Sequence, residues 1–249
     1  CSSLTSVTIP DSVTEIGEYT FYNCTSLTSV TIPNGVTSIK QEAFNNCTSL
    51  TSVIIPDGVT SIGYHTFYNC TSLTSVTIPN SVTSIGVCAF DYCSSLINVN
   101  INDLSAWCKI KFSERSSNPL YNKAKLYING VEQTDIIIPS DITEINAYAF
   151  CFCTSLKSVT IPNSVTSIGK DAFWCCASLT SVNINDLSAW CKIDFASVYS
   201  NPLYNEVKLY INGVEQTDIT IPSNITKIKN YAFYNCLSLE SVTIPNGVT

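Results

Sequence analysis

The sequence predicts an α/β solenoid of right-handed coils, each 23 residues long, and three observations carry that reading. Cys1, Cys24, Cys47, Cys70 and Cys93 stand 23 residues apart. Pro10, Pro33, Pro56 and Pro79 keep the same step, as do Leu4, Leu27, Leu50 and Leu73, and Phe21, Phe44, Phe67 and Phe90. After Cys93 the interval grows to 60 residues, returns to 23 at Cys176 and is 60 again at Cys236, so two 37-residue insertions interrupt the array. Residues 100–156 and 183–239 are near-copies, which makes an 83-residue super-repeat. A single coil cannot bury its own apolar edge, so units of this length must stack on their neighbours.

Within one unit, residues 26–48, the elements follow in order. Leu27, Val30 and Ile32 keep an L-x-x-V-x-I spacing, and Val30 and Ile32 alternate with Ser29 and Thr31. That alternation predicts a short parallel strand with an apolar inner face and a hydroxylated outer face. Pro33 removes a backbone donor and Asn34-Gly35 turns the chain, which ends the strand. Val36 and Ile39 predict a second short extended segment, and the glycine that follows in several units reads as a turn marker. Ala43, Phe44 and Cys47, at i, i+1 and i+4, predict about one helical turn on the third side. Ten isoleucines from Ile9 to Ile244 keep the strand register, so ten parallel strands are expected in one row, within a single domain over residues 1–249. Both ends fall inside a unit and neither has the divergent sequence of a capping coil, so the chain reads as an internal piece of a longer array.

The recurring motifs L-x-x-V-x-I-P, V-T-S-I-G and A-F-x-x-C resemble those of the BspA-like subfamily of leucine-rich repeat proteins, over essentially the whole chain. The resemblance implies an α/β leucine-rich repeat solenoid. It also implies an extracellular or cell-surface location, as on anaerobic bacteria and some parasitic protists, with adhesion as the function. The implied partner is a protein or glycan at a surface, host extracellular proteins included.

The insertions, residues 102–138 and 185–221, begin where Asn102 and Asn185 replace the usual proline. Asp103 ahead of Leu104, Trp107 and Cys108 predicts a capped helix start, Lys109 to Phe112 alternates as a strand, and Ser117-Asn118-Pro119 predicts a loop. Asn129-Gly130 between two apolar alternations predicts a β-hairpin over residues 125–134, and its copy predicts another over 208–217. These segments read either as protruding contact sites or as enlarged coils whose Trp107, Leu120, Trp190 and Leu203 cover the core. The near-identity of the copies favours the second reading.

Only 12% of the residues are charged and the net charge is -7, with one arginine, Arg115, and one histidine, His65. Nucleic-acid affinity rests on clustered Lys and Arg, so a nucleic-acid partner is excluded. No apolar run approaches the roughly 20 residues of a bilayer span, which argues against membrane insertion. Thirteen cysteines raise the question of disulfides and zinc. Stacked coils bring in-register Cα atoms within disulfide range, yet parallel Cβ vectors keep the sulfurs from closing, so a ladder of free, buried thiols is expected. The off-register Cys151, Cys175 and their neighbours stay open as exceptions. No Cys-x-x-Cys pair exists, His65 stands alone, and no glycine-rich phosphate loop is present, so neither a metal nor a cofactor is expected. His65 reads as an exposed helix residue, and Asp141 and Glu144 read as a solvated face. No nucleophile, base and orienting group recur together, so the chain is not expected to be an enzyme. The sequons at Asn23, Asn46 and Asn69 read as by-products of the repeat.

Binding remains. The outward strand positions Ser29, Thr31, Ser75, Thr77, Asn98, Asn100, Ser158 and Thr160 form the first candidate surface, since short polar side chains on a rigid sheet bond a partner at small ordering cost. The segments that differ between the insertions, 113–116 and 196–199, add Glu114, Arg115, Val198 and Tyr199 as a candidate partner-facing loop. Nearby acids, including Glu132, Asp194 and Glu215, would favour a basic or polar partner. The alternative is a passive spacer that carries functional domains elsewhere in a longer protein, because a row of near-identical hydroxyls lacks the aromatic and arginine hot spots of a specific contact surface.

Overall fold

The computed structural model describes residues 1–248, which form two compact units that divide between Glu132 and Gln133. In the first unit, the strands Ser6–Thr8, Ser29–Thr31, Ser52–Ile54, Ser75–Thr77 and Asn98–Ile101 lie parallel, with Val7, Val30, Val53, Val76 and Val99 side by side. The second predicted segment is a two-residue strand in these coils, and Glu15–Ile16, Ser38–Ile39, Ser61–Ile62 and Ser84–Ile85 form a second parallel sheet. The second unit repeats the plan, with Asp135–Ile137, Ser158–Ile161 and Ser181–Ile184 on one side. Glu144–Ile145, Ser167–Ile168 and Asp194–Phe195 form its other side. The corner between the two sides is a proline turn. Val36, Val59 and Val82 donate their amides to the carbonyls of Pro33, Pro56 and Pro79 at 3.1, 3.0 and 3.1 Å.

Every apolar register position of the inner coils is buried. Leu27, Leu50 and Leu73 are fully enclosed, and Phe44, Phe67 and Phe90 stack with ring centroids 5.4 and 5.2 Å apart. Each such side chain contributes roughly 1.5–3 kcal/mol by leaving water, and only the neighbouring coils provide the cover.

The third side corrects the helical turn expected there. Residues 17–24 and their counterparts are a run of tight turns, with Tyr19, Asn23, Glu42, Asn46, His65 and Asn69 at φ between 51° and 59°. A helix would turn its amides along the chain, whereas here alternate amides point to the next coil. Tyr19, Phe21 and Asn23 donate to the carbonyls of Gln41, Ala43 and Asn45 at 3.1, 2.8 and 2.9 Å, and the pattern continues from Glu42, Phe44 and Asn46 to Tyr64, Thr66 and Tyr68. Stacking supplies acceptors at coil spacing for alternate donors, the amides between them close i→i−3 turns such as Tyr22 to Tyr19 and Cys24 to Phe21, and the left-handed residues break the helical path. The asparagines of the sequons at Asn23, Asn46 and Asn69 occupy such positions, which asparagine tolerates better than most residues.

The glycines of the V-T-S-I-G motif are also not turn markers. Only Gly130, Gly213 and Gly247 have positive φ. A Cβ on Gly63 would stand 2.5 Å from the Gln41 nitrogen, and one on Gly86 would stand 2.6 Å from the Tyr64 nitrogen, so these glycines let successive coils approach. Threonine at the corners ties the coils further. Thr28, Thr51 and Thr74 donate their hydroxyls to the carbonyls of Thr5, Thr28 and Thr51 at 3.1, 3.2 and 3.2 Å.

Each insertion is one enlarged coil followed by a hairpin. Asp103 caps the helix Leu104–Cys108 by accepting from the Ser105 amide at 2.8 Å, and Asp186 does the same for Leu187–Trp190. Lys111–Phe112 then extends the second sheet. The segment read as a loop is two 3₁₀ helices, Arg115–Ser117 and Pro119–Asn122, because Glu114 and Asn118 cap successive turns. Lys125–Ile128 joins the first sheet beside Asn98–Ile101 and turns back through Asn129 and Gly130, at φ 50° and 79°, into the antiparallel Val131–Glu132. Lys208–Ile211 and Val214–Glu215 form the matching hairpin. Trp107, Leu120, Trp190 and Leu203 are buried, as enlarged coils require.

The repeat strands are not paired into one sheet. The first sheet ends on Val131–Glu132, a second begins with Asp135–Ile137 and ends on Val214–Glu215, and Asp218–Thr220 pairs with Ser241–Thr243 in a third. Among the described residues, Val131–Glu132 pairs only with Lys125–Ile128, and Val214–Glu215 only with Lys208–Ile211, so each ladder ends on its hairpin.

Candidate functional site

The outward strand positions face solvent as the alternation requires. Ser29 and Thr31 are exposed, while Ser75, Thr77, Asn98, Asn100, Ser158 and Thr160 are half-buried. Among the described residues, no hydrogen bond occupies the side chains of Ser29, Thr31, Ser75, Thr77, Asn98 or Thr160, so these groups are available to a partner. Ser158 differs, since its hydroxyl donates to Asp135 at 2.5 Å and holds that carboxyl below its ordinary value. Ile54, between Thr31 and Thr77, is 73% exposed and adds an apolar point to the hydroxyl column.

The hairpins bring residues to this face that the alternation of the repeat alone does not name. Lys125 lies beside Asn98 and Tyr127 beside Asn100, so each sheet face ends in a cation and a phenol. In the second unit Lys208 and Tyr210 stand beside Ser181 and Asn183. Lys125 pairs with Glu132 at 3.0 Å and Lys208 with Glu215 at 2.8 Å, and Tyr210 donates to Glu215 at 3.2 Å. The signal was in K-L-Y-I: once Leu126 and Leu209 take the inward register of Val99 and Val182, Lys and Tyr must point outward. Glu132, Glu215 and Asp194, which pairs with Lys229 at 2.6 Å, are compensated, so the surface is less acidic than the residue count implies.

The insertion residues lie on the turn side, away from the strands. Glu114 accepts from the Cys88 thiol at 3.1 Å and from the Ser116 hydroxyl, and those bonds hold its carboxyl below the usual range. Ser116 and Ser117 are buried, and Ser117 accepts from the Glu114 amide at 3.0 Å. Glu114 is thus committed to the fold, and a wholesale replacement of residues 113–116 would disturb it. Arg115 and Val198 are half-buried in their 3₁₀ turns. Tyr199 is exposed, with its ring 5.4 Å from that of Tyr204 and 6.2 Å from that of Trp174.

His65 is not an exposed helix residue. It occupies a left-handed turn position, half-buried, with its ring 3.7 Å from Tyr64 and 4.4 Å from Tyr68. All thirteen thiols are free. Seven of the eight register cysteines are buried, and Cys1 is exposed. Cys47, Cys70, Cys93 and Cys176 donate to the carbonyls of Phe21, Phe44, Phe67 and Phe150 at 3.2, 3.3, 3.1 and 3.2 Å. Burial pushes the thiols of Cys47, Cys93 and Cys153 up to about 12, which keeps them protonated and poor nucleophiles. Among the described residues, no helix is long and apolar enough to cross a membrane.

Stacked parallel strands, paired second-side strands and a buried Leu/Phe/Cys interior define a leucine-rich repeat solenoid. Six copies of the BspA type leucine-rich repeat region match residues 1–117 and 123–249, and the chain belongs to that family. A leucine-rich repeat protein from Bacteroides ovatus shares the fold at TM-score 0.50 and 24% identity, over 100% of this chain and 75% of that one. The leucine-rich repeat protein of T. pallidum is 27% identical at TM-score 0.43, over 72% of this chain and 66% of that one. No curated protein sequence matches the chain.

Proposed function

We propose that this chain is an extracellular or cell-surface adhesion module that binds a protein through its strand face, with exposed insertion residues as a second contribution. The observation that carries the reading is the composition of that face in the first unit: unoccupied Ser29, Thr31, Ser75 and Thr77, the exposed Ile54, then Tyr127 beside Asn100. A phenol and an isoleucine on a rigid sheet supply the anchors that a plain hydroxyl row lacks, and loss of mobility on binding is small. Membership in a family of surface-type repeat proteins supports the same reading.

The test is capture of extracellular-matrix and mucosal proteins by the intact chain, repeated with Thr31→Lys/Thr77→Lys, with Tyr127→Ala/Tyr210→Ala and with Arg115→Ala/Tyr199→Ala. These substitutions leave the buried columns untouched. The strand-face variants are expected to lose at least tenfold in affinity for the captured protein. Capture that survives all three sets means the surface acts as a spacer, which is the reading that would then replace this one.

A further inference from the structure

The strand face holds the hydroxyls, but most of the exposed rings of the first unit are elsewhere. Tyr19, Tyr22, Tyr64 and Tyr92 are the exposed large apolar side chains of its turn side, and Tyr68 and His65 stand among them. Tyr64, His65 and Tyr68 form a stack, and Tyr68 meets Tyr92 edge-on with centroids 5.2 Å apart. The backbone beneath them is pinned by the coil-to-coil amide ladder, with His65 and Asn69 donating to Val87 and Asp91 at 3.0 and 2.9 Å. Six aromatic rings on a fixed backbone need a reason, because burial does not account for the exposed ones.

We infer that this turn-side aromatic row is a binding platform for a neutral glycan, with pyranose rings lying against Tyr64, Tyr68 and Tyr92. The chemistry of the side separates a glycan from a protein partner. Protein contact surfaces mix aromatic anchors with aliphatic side chains, whereas the exposed aliphatics of this unit, Ile54, Ile97 and Val131, stand in or beside the strands. What flanks the rings is planar and polar. Glu18 and Gln41 bond each other at 3.2 Å, Asn69 donates to Asn46 at 2.6 Å, and Asp91 holds the Tyr92 amide at 2.9 Å. Carboxylates and amides match pairs of neighbouring hydroxyls, and rings match the C–H face of a sugar. The carboxylates also repel a polyanion, so the glycan is neutral. Coils that stack at about 4.8 Å present one set of side chains per step, close to the length of one pyranose along a chain.

This surface is separate from the strand face, so the two proposals fail separately. The experiment is electrophoresis of the native chain through gels that contain soluble starch, mixed-linkage β-glucan, xylan, galactomannan or hydroxyethyl cellulose. Retardation in at least one gel is expected. Tyr64→Ala/Tyr68→Ala/Tyr92→Ala should weaken it at least tenfold, while Thr31→Lys/Thr77→Lys should leave it unchanged. Should the triple variant lose its native circular dichroism, Tyr92→Ala alone, at a ring 59% exposed, is the replacement and should weaken binding at least threefold. Normal mobility in all five gels overturns the inference, and so does retardation that the tyrosine variants leave intact.

Discussion

A thiol buried among stacked coils is held in its protonated state by the loss of water, and stability must therefore depend on pH at the alkaline end. Cys47, Cys93 and Cys153 sit near 12 in the folded chain against an ordinary value of 9.0. Below pH 9 both folded and unfolded chains hold these protons and the stabilisation is complete. Between about 9 and 12 the unfolded chain releases them and the folded chain does not, so stability falls as pH rises. The urea midpoint is expected to drop between pH 8 and pH 10.5, and to drop less in Cys47→Ala/Cys93→Ala/Cys153→Ala; equal drops would refute the linkage. Thiol titration at pH 7.5 should find Cys1 reactive at once and the seven buried register thiols reactive only in denaturant. The free thiol ladder was legible because stacking fixes parallel Cβ vectors from spacing alone. The turn geometry of His65 was not, because its counterparts Tyr19, Glu42 and Cys88 share the left-handed φ without sharing a residue type.

At the scale of elements, two glycines separate two reasons for lacking a side chain. Gly130 sits at φ 79° with nothing within 4 Å of where a Cβ would be, whereas Gly63 has an ordinary φ and the Gln41 backbone 2.5 Å away. Gly130→Asn should cost under about 0.5 kcal/mol, because asparagine tolerates the left-handed region. Gly63→Ala should cost roughly 1–3 kcal/mol, since one coil must shift against the next. Thermal melting of the two variants checks the contrast, and the reverse order would contradict it. Strand, proline corner and hairpin were readable because alternation, a missing donor and Asn-Gly each have one structural meaning. The third side misled because Ala43, Phe44 and Cys47 face inward in a stacked turn as well as they would in one turn of helix. Asparagine recurring at Asn23, Asn46 and Asn69 was the available clue to the left-handed backbone.

For the whole molecule, stability is held between neighbours, and no coil is complete alone. Val53 is 3% exposed in a strand paired on both sides, so Val53→Asp buries a carboxylate that nothing nearby can pair. Loss of amide protection at Thr51 and Thr74, with a melting temperature lowered by at least 10 °C, is expected; an unchanged melting curve would rule the stacked core out. The strand face as a candidate site was legible from alternation, but Tyr127 and Tyr210 came to it only through the hairpin, whose register depends on a turn. The array has one more property of physical weight. Identical Ser-Val-Thr strands stacked in register are the repeating geometry of a cross-β filament, and an open end would recruit a second copy edge to edge. At one end the first sheet closes on Val131–Glu132, a free edge of two residues, one of them a glutamate in an ion pair. The same terminator recurs at Val214–Glu215, so duplicating the 83-residue module in a gene repeats a short, charged closing edge rather than lengthening it.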